Sequence, residues 1–215
     1  MTIDLIDSEQ RIVLDNISWD LYEGLLTAHR DRRVPRFTYD RGCLEIVSPS
    51  AEHERITERI ALLVNLVAEV KGINVAGYGS TTFRREDLAK GFEPDTCFYG
   101  KNLHGIQGKT ALDLRIDPPP DLVIEIDYTS SSLDKVSITA EVGVPELWRY
   151  DATGWRILVP HDGEYAEQLE SFILPGLSVK MISRLIEDSR TLEPLAWMAR
   201  VRAAVQTPQS GGYVG

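Results

Sequence analysis

Residues 121–128 read DLVIEIDY, and this run predicts a β-strand that carries carboxylates on one face. Successive side chains of a strand point to opposite sides, so Glu125 and Asp127 share a face with Val123. The other face consists of Leu122, Ile124, Ile126 and Tyr128. Because a buried carboxylate without a partner is costly, the acidic face requires water, a base or a metal ion.

A long helix is predicted over residues 51–71, before this strand. Apolar side chains recur there at three- and four-residue steps, which is the period of one helix face. Ser50 is the expected N-terminal cap. Gly72 follows as a C-terminal cap, since glycine readily adopts the left-handed conformation that ends many helices.

The N-terminal part predicts a second helix and a hairpin. Ser18 is the expected helix cap, and Leu21, Leu25 and Leu26 are expected to form the buried face. The hairpin turns at residues 40–42, Asp-Arg-Gly.

Shorter elements follow in the middle and at the end of the chain. Short strands are predicted within residues 73–79, 81–85 and 95–100, and residues 101–119 are interpreted as a long loop. Beyond the strand at 121–128, the pattern predicts a helix at 133–142, a strand at 145–151, a hairpin turning at 161–163 and two late helices. This order favours an α/β (α+β) fold with a central mixed sheet flanked by helices.

Length and charge restrict the possible functions. The 215 residues suit one domain over 1–205, with a flexible, Gly-rich tail over 206–215. The 33 acids and 23 bases give a formal net charge of −10, which argues against a protein that coats nucleic acid by bulk electrostatics.

Two further features suggest a cytoplasmic protein. The longest apolar-rich run, residues 60–70, contains Asn65 and Glu69 and is too short to cross a bilayer, so no membrane association is expected. Cys43 and Cys97 lack metal-binding spacing and are interpreted as reduced core residues.

A metal site follows from two acids that the strands would bring together. If the strand that begins near Asp95 lies beside residues 121–128, Asp95 and Glu125 converge. Mg²⁺ or Mn²⁺ favours such an all-oxygen site, and a bound divalent ion suits phosphodiester hydrolysis. Lys135, at the start of the next helix, is long enough to reach back and stabilise the developing charge.

A structural interpretation of the same residues stays open. Glu125 and Asp127 would then form an exposed strand face paired with Lys or Arg. Pro94-Asp95 would be a turn dipeptide, and Lys135 would be a solvated helix residue.

Four segments in order resemble the Uma-two family of restriction-endonuclease-like proteins within the PD-(D/E)XK nuclease superfamily. They are CLEIVSPSAEHERI (43–56), GFEPDTCFYG (91–100), PPDLVIEIDYTSSSLDK (119–135) and GVPELWRYD (143–151). The resemblance implies a restriction-endonuclease-like fold and Mg²⁺-dependent DNA cleavage. It also implies that Asp95, Glu125 and the backbone carbonyl of Ile126 are the metal ligands.

One position departs from the superfamily motif. The motif expects a lysine two residues after the glutamate, and this chain has Asp127 there. The family commonly takes its lysine from the following helix, which implies that Lys135 replaces it. Asp127 would be a third metal ligand or an acid behind the ligands.

Two residues of the long helix join the candidates. His53 matches a family position and is expected to touch a phosphate or the metal's waters, although a capping role remains an alternative. Glu58 is a candidate because nucleases of this superfamily often place an acid on the first core helix.

Three functions remain in competition. The first is a metal-dependent DNA endonuclease that acts as a homodimer, since two strands need two sites. The second is a catalytically inactive or repurposed nuclease fold that binds nucleic acid or regulates, and the third is another phosphodiesterase or an RNA-directed enzyme. A basic surface beside the carboxylates would favour nucleic acid, and its candidate residues are Arg84, Arg85, Lys90, Lys101 and Lys109.

Overall fold

A computed structural model describes residues 9–30, 32, 34–109, 112–127 and 133–206. The α-helices within these ranges are α1 (Trp19–His29), α2 (Ala51–Lys71), α3 (Leu103–Ile106), α4 (Lys135–Glu141), α5 (Val179–Thr191) and α6 (Pro194–Gln206). The first strands are β1 (Gln10–Leu14), β2 (Arg36–Asp40), β3 (Cys43–Ser48), β4 (Ala76–Gly77), β5 (Phe83–Arg85) and β6 (Lys90–Phe92). The later strands are β7 (Thr96–Tyr99), β8 (Leu122–Ile126), β9 (Leu147–Asp151), β10 (Gly154–His161) and β11 (Glu164–Gln168).

The strands form two sheets. The first, which we call the small sheet, has the order β1-β3-β2-β6-β5 and is antiparallel at each described pair. The second, the large sheet, has the order β11-β10-β9-β8-β7-β4. Its β8 and β9 run parallel, with Ile124 opposite Trp148, whereas its other described pairs are antiparallel. The predicted central mixed sheet with flanking helices is therefore confirmed.

Strand β8 separates two apolar cores, as its alternating pattern predicts. Leu122, Ile124 and Ile126 pack toward the core that contains α2, α5 and α6. Val123 packs on the opposite face, in a core that includes Ile138 of α4. Glu125 therefore lies on the face of Val123 and α4, where the sequence places it.

Both ends of α2 are capped as expected. The side chain of Ser50 accepts a hydrogen bond from the amide of His53 at 3.2 Å. At the other end Gly72 takes a left-handed conformation, with φ of 67°. The helix between them buries Ile60, Leu63 and Val64 completely, and His53 begins its buried face.

The buried face of α1 differs from the expectation. Ser18 does cap this helix, by accepting from the amide of Leu21 at 3.2 Å. The face is formed by Tyr22 and Leu26, whereas Leu21 is half exposed. Tyr22 stacks on Tyr39 of β2 with 4.8 Å between ring centroids, so an aromatic contact with the small sheet decides the orientation.

Several smaller expectations need correction. Strand β1 was not predicted, and helix α3 lies inside the segment interpreted as a long loop. Helix α6 includes Gln206, so any tail begins after that residue. Tyr128 and residues 207–215 lie outside the described ranges. None of the helices described here has the length and hydrophobicity that crossing a membrane would require.

Candidate active site

Strand pairing brings Asp95 and Glu125 together. Strands β7 and β8 are antiparallel neighbours with Thr96 opposite Ile124, and one further step of this register places Asp95 opposite Glu125. The backbone amide of Ile126 also donates to Oδ2 of Asp95 at 2.7 Å. The two acids thus lie on adjacent strands although 30 positions separate them in sequence.

Asp95 is a buried carboxylate with three donors around it. Oδ2 accepts from Ile126 and lies 3.2 Å from Nε2 of His53, while Arg36 Nη1 donates to Oδ1. Burial alone disfavours the charged form of this carboxyl. The hydrogen bond from His53 and the positive charges of Lys135 and Arg36 outweigh burial and lower the pKa of Asp95 to about 2. Asp95 is therefore ionised across the physiological range.

The pKa of Glu125 is shifted in the opposite direction from that of Asp95. It is 1% exposed, and burial raises its pKa to about 7 although the Lys135 ammonium opposes that shift. Oε2 accepts from Nζ of Lys135 at 2.9 Å. Oε1 is buried and has no hydrogen-bond partner among the described residues. One oxygen of this carboxylate is thus open to a ligand that the protein itself does not supply.

Lys135 is the first residue of α4 and extends into the site. Burial favours the neutral amine, but the carboxylates of Glu125, Asp95 and Asp127 outweigh burial and raise the pKa of Lys135. Its ammonium therefore stays charged beside the acids, and the structure brings it to Glu125 as the sequence predicts.

Asp127 follows β8 and is also buried. Its Oδ2 lies 3.1 Å from Nε of Arg149, without hydrogen-bond geometry. Burial raises the pKa of Asp127, although Lys135 and Arg149 act against that shift. Asp127 therefore lies in the cluster, and neither of its carboxylate oxygens has a hydrogen-bond partner among the described residues.

The two candidate residues of α2, His53 and Glu58, lie on different sides of the helix. His53 is buried in the first turn, and its hydrogen bond to Asp95 raises the pKa of the imidazole against the effect of burial. Glu58 lies on the exposed side of the same helix, five residues and about 140° around the axis from His53. The structure thus brings His53 to the carboxylates and leaves Glu58 away from them.

The space between these groups is almost closed. A cavity of about 10 Å³ is lined from the large sheet by Asp95, Ile126 and Asp127, and from the small sheet by Arg11 and Arg36. Lys135, His53 and Glu93 also line it. A cavity of this size holds about one water molecule.

Comparison with known proteins assigns the family. The model of the Uma2 family, described as "Putative restriction endonuclease", matches residues 19–191. The chain belongs to this family. No curated protein sequence matches the chain.

A solved structure shares the fold. It is described as "a putative nuclease belonging to DUF820 from Anabaena variabilis" and superposes with a TM-score of 0.54 at 16% sequence identity. The superposition covers 79% of this chain and 99% of that one. A nuclease-like fold and a restriction-endonuclease-like family are therefore established for this Uma2 protein.

The oxygen-rich cluster of this Uma2 protein suits a hard divalent cation. No three His, Cys, Asp or Glu side chains among the described residues are arranged to hold a metal ion by themselves. Mg²⁺ is commonly held by one or two carboxylates and keeps several waters, so Asp95 and Glu125 are a sufficient pair. The unpartnered Oε1 of Glu125 supports this fit. The described contact of Ile126 with Asp95 is made by its amide, and its carbonyl stays a predicted ligand.

Sequence reasoning missed Arg36. This residue of β2 contacts Asp95 through Nη1 and Oε1 of Glu54 through Nη2, the latter at 2.7 Å. It is 59 positions from Asp95, and nothing in its local pattern marks it. The guanidinium reaches the site only because the small sheet, which contains β2, lies against the carboxylates of the large sheet.

The basic residues expected to form a nucleic-acid surface are mostly neutralised. Arg84 pairs with Glu23 and Arg85 with Asp87, each at 2.8 Å or less. Lys90 is fully buried against Asp40, and Lys109 pairs with Asp117. Lys101 is exposed. These residues do not form a common basic surface beside the carboxylates.

Proposed function

We propose that this protein is a Mg²⁺-dependent, or Mn²⁺-dependent, DNA endonuclease that hydrolyses phosphodiester bonds. The observation that carries the proposal is the cluster of Asp95, Glu125 and Lys135, with 2.9 Å between Nζ of Lys135 and Oε2 of Glu125. Membership of a restriction-endonuclease-like family supports DNA as the substrate.

Asp95, Glu125 and the backbone carbonyl of Ile126 would hold the divalent ion. Once bound, the ion polarises the scissile phosphate and makes the attacking water more acidic. Glu125 must be ionised to serve as a ligand, and its raised pKa means that ion binding displaces a proton.

The other residues act through charge and position. The ammonium of Lys135 is fixed beside Glu125, where it can orient the attacking water and stabilise negative charge that develops on the phosphate. His53 holds the carboxylate of Asp95 from the α2 side. Asp127 takes the place of the motif lysine and adds a negative charge that keeps Lys135 protonated.

The oligomeric state and the cellular compartment are part of the same proposal. We expect a C₂ homodimer, because cutting both strands of a duplex requires two sites. The two cysteines are free, and Cys97 is buried, which suits the reducing cytoplasm.

The contact between Arg36 and Asp95 favours a second candidate function. A guanidinium on Oδ1 already neutralises the ligand carboxylate, which is an arrangement suited to a site that no longer binds metal. On this alternative the protein is an inactive nuclease fold that binds nucleic acid or regulates.

Nicking of supercoiled plasmid distinguishes the two candidates. The wild type is assayed with Mg²⁺ and with Mn²⁺ beside Glu125→Ala and Lys135→Ala. Matched controls are Glu164→Ala and Lys180→Ala, which remove exposed residues of the same charge far from the cluster in sequence. The endonuclease proposal expects activity in the wild type and controls and its loss in the two site variants. Equal nicking by all five proteins indicates contamination, and no metal-dependent nicking by any of them supports the inactive alternative.

A further inference from the structure

A wide cleft lies next to the carboxylate site, with which it shares Glu93. It has a volume of about 700 Å³ and separates the end of α1 and the loop after it from residues 77–82. It is open to solvent, whereas the neighbouring carboxylate cavity holds only about 10 Å³.

The α1 side of this cleft is basic. Arg30 and Arg32 line it and are both exposed. The side chain of Arg32 makes no ion pair within the described part of the chain. Arg84 adds a third guanidinium, which Glu23 balances at 2.8 Å. Three arginines thus line the cleft against one acid, Glu93, which is a local exception in a chain with a net charge of −10.

The opposite wall supplies neutral hydrogen-bonding groups. Tyr78, Ser80 and Thr81 line it, and each carries a hydroxyl; that of Thr81 donates to the carbonyl of Tyr78 at 2.6 Å. Gly79 in the same segment has φ of 56° and leaves open space where another residue would carry a Cβ. Guanidinium groups facing hydroxyls form the combination that proteins use to contact phosphate oxygens of DNA.

Glu93 connects the cleft to the carboxylates. It lines both cavities and lies two residues before Asp95. Its Oε2 accepts from the amide of Phe37 at 2.9 Å, and its Oε1 accepts from the hydroxyl of Thr82. Glu93 therefore joins the start of β2 to Thr82 of the opposite wall and lies between the cleft and the site.

We propose that this cleft binds the sugar-phosphate backbone of duplex DNA beside the bond to be cut, with Arg30 and Arg32 as the phosphate contacts. The inference rests on the proposed function and adds the surface that positions the substrate. Glu93 lines both the cleft and the carboxylate cavity, so a backbone bound in the cleft would approach Asp95 from the side of Glu93.

Equilibrium binding tests the cleft separately from cleavage. A fluorescently labelled DNA duplex is titrated in Mg²⁺ with Glu125→Gln protein, which keeps the shape of the site without its carboxylate. Arg32→Ala and Arg30→Ala/Arg32→Ala are compared in that background with Arg190→Ala/Arg202→Ala. The control pair removes the same net charge from α5 and α6, where the two arginines pair with Glu52 and Glu69.

The cleft variants should bind more weakly, and the control should not. We expect the double variant to raise Kd about tenfold and to reduce the slope of log K against log salt by about 2, since each lost phosphate contact removes about 0.9. Equal Kd values for the double variant and the control would contradict the proposal that this cleft binds DNA. Tighter binding of duplex RNA than of duplex DNA would contradict the choice of DNA as its ligand.

The parallel plasmid assay separates this inference from the proposed function. If wild-type protein nicks plasmid while the cleft variants bind DNA like the control, the proposed role of the cleft is wrong and the endonuclease proposal stands. If the wild type neither nicks plasmid nor binds duplex, the endonuclease proposal fails and the cleft inference fails with it. Unchanged thermal melting of Arg32→Ala shows that its effect on binding does not come from unfolding.

Discussion

Nζ of Lys135 lies 2.9 Å from Oε2 of Glu125, although ten residues and a change from strand to helix separate them. The contact joins a carboxyl whose pKa is raised to an ammonium whose pKa is also raised. Such a buried pair is weak support for stability in itself, because desolvation of both charges offsets their attraction. Its placement beside Asp95 gives it a catalytic interpretation instead.

Removal of the ammonium should slow cleavage and change its pH dependence. Lys135→Met is expected to lower kcat by about 100-fold or more, by analogy with other lost transition-state stabilisers. Because Lys135 lowers the pKa of Glu125, its loss should also move the acidic limb of the rate profile to higher pH. Single-turnover nicking rates measured from pH 5.5 to about 9 provide both quantities. A lowered rate with an unmoved acidic limb would contradict the coupling of the two residues.

Affinity for the divalent ion should depend on pH around neutrality. Glu125 has a pKa of about 7 and must lose its proton to bind the ion, so Mg²⁺ affinity should fall as the pH drops below that value. Calorimetric titration in buffers with different ionisation enthalpies measures the proton release. Asp95→Ala should abolish uptake, whereas Glu164→Ala should leave it unchanged. Binding without proton release at pH 6 would show that Glu125 is not a ligand.

Neutralising Glu125 should make the stability of the protein less dependent on pH. The ordinary pKa of this carboxyl is 4.5, and its folded-state pKa is about 7. A group whose pKa is raised by folding contributes stability below pH 4.5 that is lost as the pH rises through 7. Glu125→Gln should therefore gain stability relative to wild type between pH 5 and pH 8, on the order of 3 kcal/mol.

Thermal melting without divalent ions measures this difference. The exposed substitution Glu164→Gln should show a pH-independent change in Tm. A Glu125→Gln effect of the same size at both pH values would mean that burial does not raise the pKa of Glu125.

A second buried lysine should matter for stability rather than for chemistry. Lys90 is fully buried, with its Nζ 2.7 Å from Asp40 and 3.4 Å from Glu141 of α4. Lys90→Met leaves Asp40 without its partner and should lower the free energy of unfolding by about 3 kcal/mol. Urea denaturation measures the loss, with the exposed Lys101→Met as control. Addition of Asp40→Asn should restore part of the loss, and an additive double variant would argue against the pairing.

The sequence predicts those parts of the structure that local periodicity determines. The caps at Ser18, Ser50 and Gly72 are where the pattern puts them, since the chemistry of a cap involves only neighbouring residues. The alternation along β8 likewise places Glu125 on the face opposite Ile124 and Ile126. The juxtaposition of Asp95 and Glu125 was predicted from the strand that begins near Asp95, from the alternation along β8 and from the four family segments.

Features that depend on contacts between sheets could not be predicted in this way. Arg36 enters the site because β2 pairs with β3 and β6, and that order has no local signal. Tyr22 replaces Leu21 in the core because the ring stacks on Tyr39 of another element. Glu58 was a candidate by analogy alone, and the orientation of α2 is decided by its packing in one core with β8, α5 and α6.

The almost closed cavity between the sheets has a consequence for access. A phosphodiester is much larger than the single water that about 10 Å³ admits, so under the proposed function side chains that line the cavity, such as Glu93 and Arg36, must move before the backbone reaches Asp95. Binding of the substrate then requires this opening of the cavity. The free energy that opening costs is subtracted from the binding affinity. If DNA is the substrate, the conformation described here has its carboxylates closed off, and DNA would bind only a rearranged site.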